Sequence, residues 1–239
     1  NGYRLKWRTV YAMARYTGAV ALSVEDVGEN FQRTRNFSFQ EFKKSITKLK
    51  VAGVNLVFHV VVNSSNITHL ENIISELIKY KPYGILLLAY KPVGRGESQD
   101  HRLAHIPFEY CRSIFQNVTQ WAGKYTKIGF DCCLAPLVSE ISSPQCCWGC
   151  SAGRTSVAIM PNLKVKPCSF LKENRNELED SLNKKTLLNI WQGKQFQRFR
   201  NSIVSNMERN ICDQCELKTN CLGGCPAFSL CQCRYSSSI

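Results

Sequence analysis

The stretch CDQCELKTNCLGGCP, residues 212–226, sets four cysteines at C-x2-C-x5-C-x3-C, with Gly223 and Gly224 inside the last gap and Pro226 directly after it. Short gaps let one tight loop present several thiolates together, and thiolates are the soft, anionic ligands taken by zinc and by iron-sulfur cores. The glycines are expected to let the backbone approach a metal site closely, because they carry no Cβ. Zinc accepts four thiolates at comparable gaps, so this run alone admits a zinc site as well as an iron-sulfur centre.

Thirteen cysteines in 239 residues is a heavy load, and Cys212, Cys215, Cys221, Cys225, Cys231 and Cys233 concentrate it near one end. A disulfide scaffold belongs to a small secreted domain with a leader. The opening Asn1-Gly2-Tyr3-Arg4 shows neither an apolar run nor an initiator methionine, so a reducing, cytoplasmic setting is expected. At 44% apolar residues the chain can build a proper core, as one large domain or a medium one plus a small one. No apolar run reaches the roughly 18 residues of a membrane helix. The formal charge of +13 suits nucleic acid, an acidic substrate or a charged cofactor. The basic residues are dispersed, however, and Lys43, Lys44, Lys48 and Lys50 read as the solvated face of one helix. Neither a nucleic acid nor a membrane is therefore expected as a partner.

Outward from the cysteine run, the first half alternates β-rich and helical patterns. Residues 19–24 (AVALSV) predict a strand. Ser38 and Glu41 form a capping box, and Phe39, Phe42, Ile46 and Leu49 follow on one helical face up to Gly53. Residues 54–62 (VNLVFHVVV) read as a buried parallel strand, and residues 85–90 (ILLLAY) as the next. Between them a helix begins near Asn66, and after them Pro107 opens another carrying Cys111 on its apolar stripe. Repeated strand-helix units imply an α/β fold with a parallel sheet, whose ligands sit at the carboxyl ends of the strands. Ser23, Glu25, Asn63 and the turn from Lys91 to Gly96 lie at those ends. Beyond about residue 131 the texture changes to cysteines, prolines and short β-like pieces, so domains are expected at 1–130 and 131–239. Cys132 and Cys133 end a strand pattern and read as core residues, as does Cys111.

Upstream of the opening run lie Cys150 and, after a hairpin-like segment, Cys168. With Cys212 to Cys225 and a trailing Cys231 or Cys233, they resemble the seven-cysteine pattern of the SPASM domain, the auxiliary-cluster domain of radical S-adenosylmethionine enzymes. Leu163 stands where that family has a glycine; a non-glycine residue is tolerated there if φ stays negative or the strain is absorbed. The first half resembles the back half of these enzymes' partial barrel. Asn1-Gly2 matches the end of a T-N-G turn, Ser23-Val24-Glu25 an S-x-[DE], Arg33 the arginine reaching the methionine carboxylate, Asn63 and Asn66 the asparagine-bearing strand end, and Pro92 to Arg95 a P-x-G-R.

The resemblance implies the back half of a partial (β/α)6 TIM-like barrel followed by a small cysteine-rich cluster-binding domain. It implies two auxiliary [4Fe-4S] clusters, ligated in an interleaved way. One takes Cys150, Cys168, Cys225 and a thiolate from Cys146 or Cys147; the other takes Cys212, Cys215, Cys221 and Cys231 or Cys233. S-adenosylmethionine is expected at Ser23, Glu25, Arg33 and Asn63. The implied activity is that of an oxidoreductase maturing a peptide or protein through a 5′-deoxyadenosyl radical, with flavodoxin or ferredoxin as reductant. Ser169 counts against the sulfatase-maturing branch, which has an aspartate there. The C-x3-C-x2-C loop that holds the family's third, radical-initiating [4Fe-4S] cluster is absent from these residues, since Gly153 follows Cys146 and Cys150 where the third cysteine belongs. The chain is accordingly expected to be the carboxyl-terminal part of a longer enzyme and inactive alone. A zinc- or cluster-binding module and an electron-transfer protein are the non-enzymatic alternatives.

Overall fold

The structure is a computed structural model, describing residues 2–98, 100–141, 149–171, 179–208 and 210–235. It divides into two compact units, Asn1–Tyr90 with His105–Asp131, and Lys91–Ala104 with Cys132–Ile239. The turn from Lys91 to Gly96 thus belongs to the second unit.

In the first unit, helix α1 (Trp7–Tyr16) precedes β1 (Val20–Val24), α2 (Gly28–Thr34), α3 (Phe39–Val51), β2 (Leu56–Val62), α4 (Leu70–Ile78), β3 (Gly84–Ala89), α5 (Phe108–Ala122) and β4 (Lys127–Phe130). The four strands form one parallel sheet in the order β1-β2-β3-β4. The expected capping box starts α3: Ser38 Oγ accepts from the Glu41 N–H at 3.2 Å, while Glu41 accepts from the Ser38 N–H. The helix ends at Gly53, whose φ of +74° is the left-handed value that favours glycine. The stretch before β1 gave no expectation of a helix, yet α1 forms there and leaves Trp7, Tyr11 and Tyr16 exposed.

Strand β2 departs from the expected two-sided burial. Leu56, Phe58, Val60 and Val62 are buried, whereas Val57, His59 and Val61 are only half-buried. Beside them in register, Ser23 pairs with His59 and His59 with Leu86, also half-buried. One face of the sheet is therefore sealed and the other partly open, as a barrel interior with room for a ligand is. Phe42, Ile46 and Leu49 of α3, Ile73, Ile74 and Leu77 of α4, and Phe115 and Val118 of α5 are almost fully buried. Phe31, Phe37, Phe39, Phe42 and Phe58 add a cluster of tilted and edge-on rings. Cys111 is buried on the α5 stripe, and desolvation pushes its thiol up to about 11, the behaviour of a core residue.

The second unit comprises α6 (Ala135–Val138), β5 (Ala158–Ile159), β6 (Lys164–Lys166), β7 (Asp180–Ser181), α7 (Leu187–Gln192), α8 (Lys194–Met207), α9 (Asn210–Asp213) and α10 (Lys218–Cys221). Its strands form a small antiparallel sheet in the order β5-β6-β7. Two modest apolar clusters hold it. Val165, Ile190 and Phe196 form one; Cys150, Ala152, Leu171, Phe199, Ile203 and Leu222 form the other, with Cys168 packed against it. Arg200 joins distant segments by donating to the Gly153 carbonyl at 2.7 Å and the Trp191 carbonyl at 2.8 Å. Leu163 turns the β5–β6 hairpin with φ +61°, so the left-handed conformation persists without the family's glycine, at a cost of about 1–2 kcal/mol. The condition that φ stay negative is not met, and the strain is carried by an exposed turn held by the Met160 carbonyl.

Candidate metal centre

Three segments of the second unit converge. Gly149 donates its N–H to the Asn220 carbonyl at 2.6 Å, and a Cβ on Gly149 would lie 2.5 Å from the Cys221 carbonyl oxygen. The segment entering Cys150 therefore touches the loop between Cys221 and Cys225 at main-chain distance. On the other side, a Cβ on Gly224 would lie 3.0 Å from Cγ of Pro136, in α6. The loop is shaped by three successive left-handed residues, Leu222, Gly223 and Gly224, with φ of +55°, +70° and +81°. Asn206 of α8 is buried and donates from Nδ2 to the Gly223 carbonyl at 2.7 Å. The two glycines thus serve the left-handed turn and close packing on α8 and α6.

This geometry sorts the cysteines into two sets. Cys150 lies near enough to Cys132, Cys225 and Cys168 for their charges to raise its thiol, and Cys168 feels Cys225 and Cys132 in the same way. Cys221 instead feels Cys212 and Cys215. The neighbours Cys221 and Cys225 therefore face different groups. Cys231 donates toward the Cys133 carbonyl at 3.7 Å, and the Arg234 guanidinium, beside Cys233, lies within electrostatic reach of Cys215. Cys146 and Cys147 lie outside the described residues.

The sulfurs are dressed in a repeating way. Main-chain N–H groups two or three residues downstream point at four of them: Ala152 at Cys150, Phe170 at Cys168 at 3.4 Å, Gly223 and Gly224 at Cys221, and Ala227 and Phe228 at Cys225. Such donors stabilise negative sulfur. Burial acts in the opposite direction, pushing the Cys150 and Cys221 thiols up to about 12 and raising Cys168. Cys225 is the exception: a hydrogen bond from the Cys133 side chain, helped by the two N–H donors and by Lys91, lowers it. Buried thiolates need a cation to balance them. Ten of the eleven described cysteines lie in the second unit as free thiols, four of them under oriented donors, a donor set that suits a soft metal or an iron-sulfur core.

The basic residues near the ligands act in different ways. Lys166 is buried and pairs with Glu179 at 3.2 Å, and Lys164 bonds the other Glu179 oxygen. The one carboxylate offsets half of their combined charge in place. Arg154 donates to the Cys150 carbonyl at 3.3 Å. The cation that acts on both Cys168 and Cys225 is Lys91, whose Nζ also sits 4.8 Å from the Phe170 ring centre. Nothing in the sequence near the cysteines signals it, because Lys91 is 77 positions before Cys168.

In the first unit, Ser23 lies within β1, Glu25 just after it and Asn63 just after β2. Glu25 is clamped by Arg35 through Nε at 2.6 Å and Nη2 at 2.5 Å. Arg33, on α2, is exposed. Asn63 Oδ1 accepts from Ser65 and from the Asn66 N–H at 3.1 Å. Buried Asn66 donates to the Glu25 and Val61 carbonyls, both at 2.9 Å, and so joins the ends of β1 and β2. His69 meets Asp26 at 2.9 Å beside them. Arg35, Asp26 and His69 were not singled out by sequence, since their pairing is made by the fold across 10 and 43 positions.

Residues 150–221 match the family model of SPASM, an iron-sulfur cluster-binding domain. No curated protein matches the chain in sequence. Among solved structures, it is similar to Streptococcus suis SuiB bound to S-adenosylmethionine, at 19% identity and TM-score 0.74, over 97% of this chain and 58% of SuiB. SuiB bound to its precursor peptide SuiA gives 18% identity and TM-score 0.74, over 97% and 58%. The structure of anSMEcpe with bound AdoMet and the Cp18Cys peptide gives 16% identity and TM-score 0.65, over 94% of this chain and 64% of that one. The chain thus spans less than two thirds of the length of each. Residues 150–221 thus match a SPASM iron-sulfur cluster-binding domain, and the chain as a whole shares the fold of these solved structures, that of the radical S-adenosylmethionine partial barrel followed by a SPASM domain.

Proposed function

We propose that this chain is the auxiliary-cluster-bearing portion of a radical S-adenosylmethionine oxidoreductase that matures a peptide or protein, in the cytoplasm, with flavodoxin or ferredoxin as reductant. The observation that carries the reading is the sorting of buried and half-buried thiols, several of them under main-chain N–H donors, into two sets from separate segments. One [4Fe-4S] centre is assigned Cys150, Cys168, Cys225 and one more thiolate; the other is assigned Cys212, Cys215, Cys221 and Cys233, with Cys231 turned instead toward the Cys133 carbonyl. When bound, such clusters supply one-electron acceptors near the substrate. This chain's own part is to hold the sulfurs and keep water from them, with Lys91 favouring the reduced, more negative state of the first centre.

Ser23, Glu25 and Asn63, at the carboxyl ends of β1 and β2, and Arg33, on α2, are assigned to S-adenosylmethionine. Arg35 holds the Glu25 carboxylate in place. A peptide substrate is supported by the neighbours solved with SuiA and with the Cp18Cys peptide, and a chain of formal charge +13 favours an acidic one. With no C-x3-C-x2-C among these residues, the chain alone is expected not to cleave S-adenosylmethionine.

Anaerobic reconstitution followed by iron, sulfide and zinc analysis tests the assignment. Two filled centres give about eight irons and eight sulfides per chain. Zinc without sulfide sinks the cluster reading in favour of a zinc-binding module. The Cys225→Ala variant is expected to lose the first centre and keep the second; loss of the second alone contradicts the interleaving.

A further inference from the structure

The first centre has three described thiols, Cys150, Cys168 and Cys225, and needs a fourth. The sequence pattern points upstream to Cys146 or Cys147. The described structure brings a different pair to the same place. Cys132 and Cys133 begin a single 3-10 turn, Cys132–Leu134, that runs directly into α6. Pro136 of that helix packs against Gly224, next to Cys225. The Cys133 thiol donates a hydrogen bond to Cys225, and the Cys132 sulfur lies within 4.8 Å of the Cys133 sulfur. Cys132 also lies within electrostatic reach of both Cys150 and Cys168.

The two cysteines of the doublet differ in burial and in partner. Successive side chains on a 3-10 turn diverge by about 120°. Cys133 is buried, and its thiol hydrogen-bonds the Cys225 sulfur. Cys132 is half-buried, and its thiol lies within electrostatic reach of Cys150 and Cys168, which flank the hairpin. We infer that Cys132 supplies the fourth thiolate of the Cys150–Cys168–Cys225 centre, and that Cys133 is a positioning residue whose thiol hydrogen-bonds the Cys225 sulfur. The inference rests on the two-cluster reading above. Atoms balance simply: Cys132 loses its thiol proton to solvent as its sulfur binds iron, and Cys133 keeps its own.

The test uses the 239-residue chain reconstituted anaerobically, with the variants Cys132→Ala, Cys132→Ser, Cys133→Ala and the double variant Cys146→Ala/Cys147→Ala. Iron and sulfide are counted, and the dithionite-reduced samples are read by electron paramagnetic resonance. The parent chain is expected to hold about eight irons, Cys132→Ala about four, and the double variant about eight. The second centre's signal, unchanged in Cys132→Ala, reports that the unit is still folded. Cys132→Ser, nearly isosteric, is expected to alter the signal of the first centre only. Cys133→Ala is expected to keep about eight irons while lowering the midpoint potential of one centre, because a hydrogen bond to its sulfur is gone. About eight irons in Cys132→Ala, loss of both centres there, an unchanged spectrum in Cys132→Ser, or a fall to about four in the double variant each overturn the inference. Zinc without sulfide in the parent chain overturns the cluster reading itself, and the inference with it.

Discussion

The two units of this molecule are held together by different means. In the first, a parallel sheet is sealed by three long amphipathic helices and a run of phenylalanine rings, so that apolar burial fixes the fold residue by residue. In the second, short strands and two small apolar clusters leave main-chain approaches, left-handed turns and a gathering of thiols to set the shape. A core of the first kind tolerates the loss of any single polar contact. A fold of the second kind depends on whatever the thiols bind, because ligand free energy is then folding free energy.

The sharpest way to break this contrast is to remove the metal. After reconstitution and chelation, hydrogen exchange is expected to lose most protection across β5–β7 and residues 212–225 while β1–β4 stay protected. Equal loss in both units would erase the distinction. Next in size is a core truncation. Phe58→Ala, at a fully buried site in β2, is expected to destabilise the first unit by about 3–5 kcal/mol, read by denaturant melts, with iron content per folded chain unchanged.

A smaller effect is expected at Gly149, where an added Cβ meets the Cys221 carbonyl at 2.5 Å and Leu222 Cβ at 2.8 Å. Gly149→Ala should cost about 1–3 kcal/mol by overpacking, and it should lower iron occupancy because it separates the two ligand-bearing segments. Parental iron content in that variant would mean the approach is incidental. The least effect concerns Glu179, whose carboxyl is held below its ordinary 4.5 chiefly by the hydrogen bond from Lys164, then by that from Lys166. Because the folded value is depressed, its stabilisation is present above the ordinary value and is lost as pH falls through the folded one. Glu179→Gln is therefore expected to destabilise the second unit slightly at pH 7, by less than about 1 kcal/mol, read as a lower melting temperature. The difference from the parent should vanish as pH falls below the ordinary carboxylate value and through the depressed folded one. A difference that grows with acid would reverse the sign.

The same contrast governs what could be read from sequence. Strands and helices of the first unit follow from periodicity and from the Ser38–Glu41 box, because each local pattern agrees with the burial it meets. What escaped there was α1, whose exposed Trp7 and Tyr11 make no inward stripe, and the one-sided burial of β2, a matter of what covers the sheet. In the second unit the spacing named most of the sulfurs that the fold gathers. It gave no sign that Cys132 and Cys133 join them, because a doublet at a strand end looks like core until the turn that follows is seen. Nor did it point to Lys91, Arg35 or the left-handed φ of Leu163, each a product of long-range packing.

The left-handed run at Leu222, Gly223 and Gly224 has a consequence for traffic between the two centres. Cys221 and Cys225 are four positions apart, and the chain cannot stretch their Cα atoms further apart than about 14 Å. With both centres filled as proposed, an electron arriving at one is a single loop away from the other, and that loop is stiffened by its packing on Asn206 and Pro136. Turn, ligands and relay are one device: a substitution chosen to loosen the turn would show itself first as a slower electron.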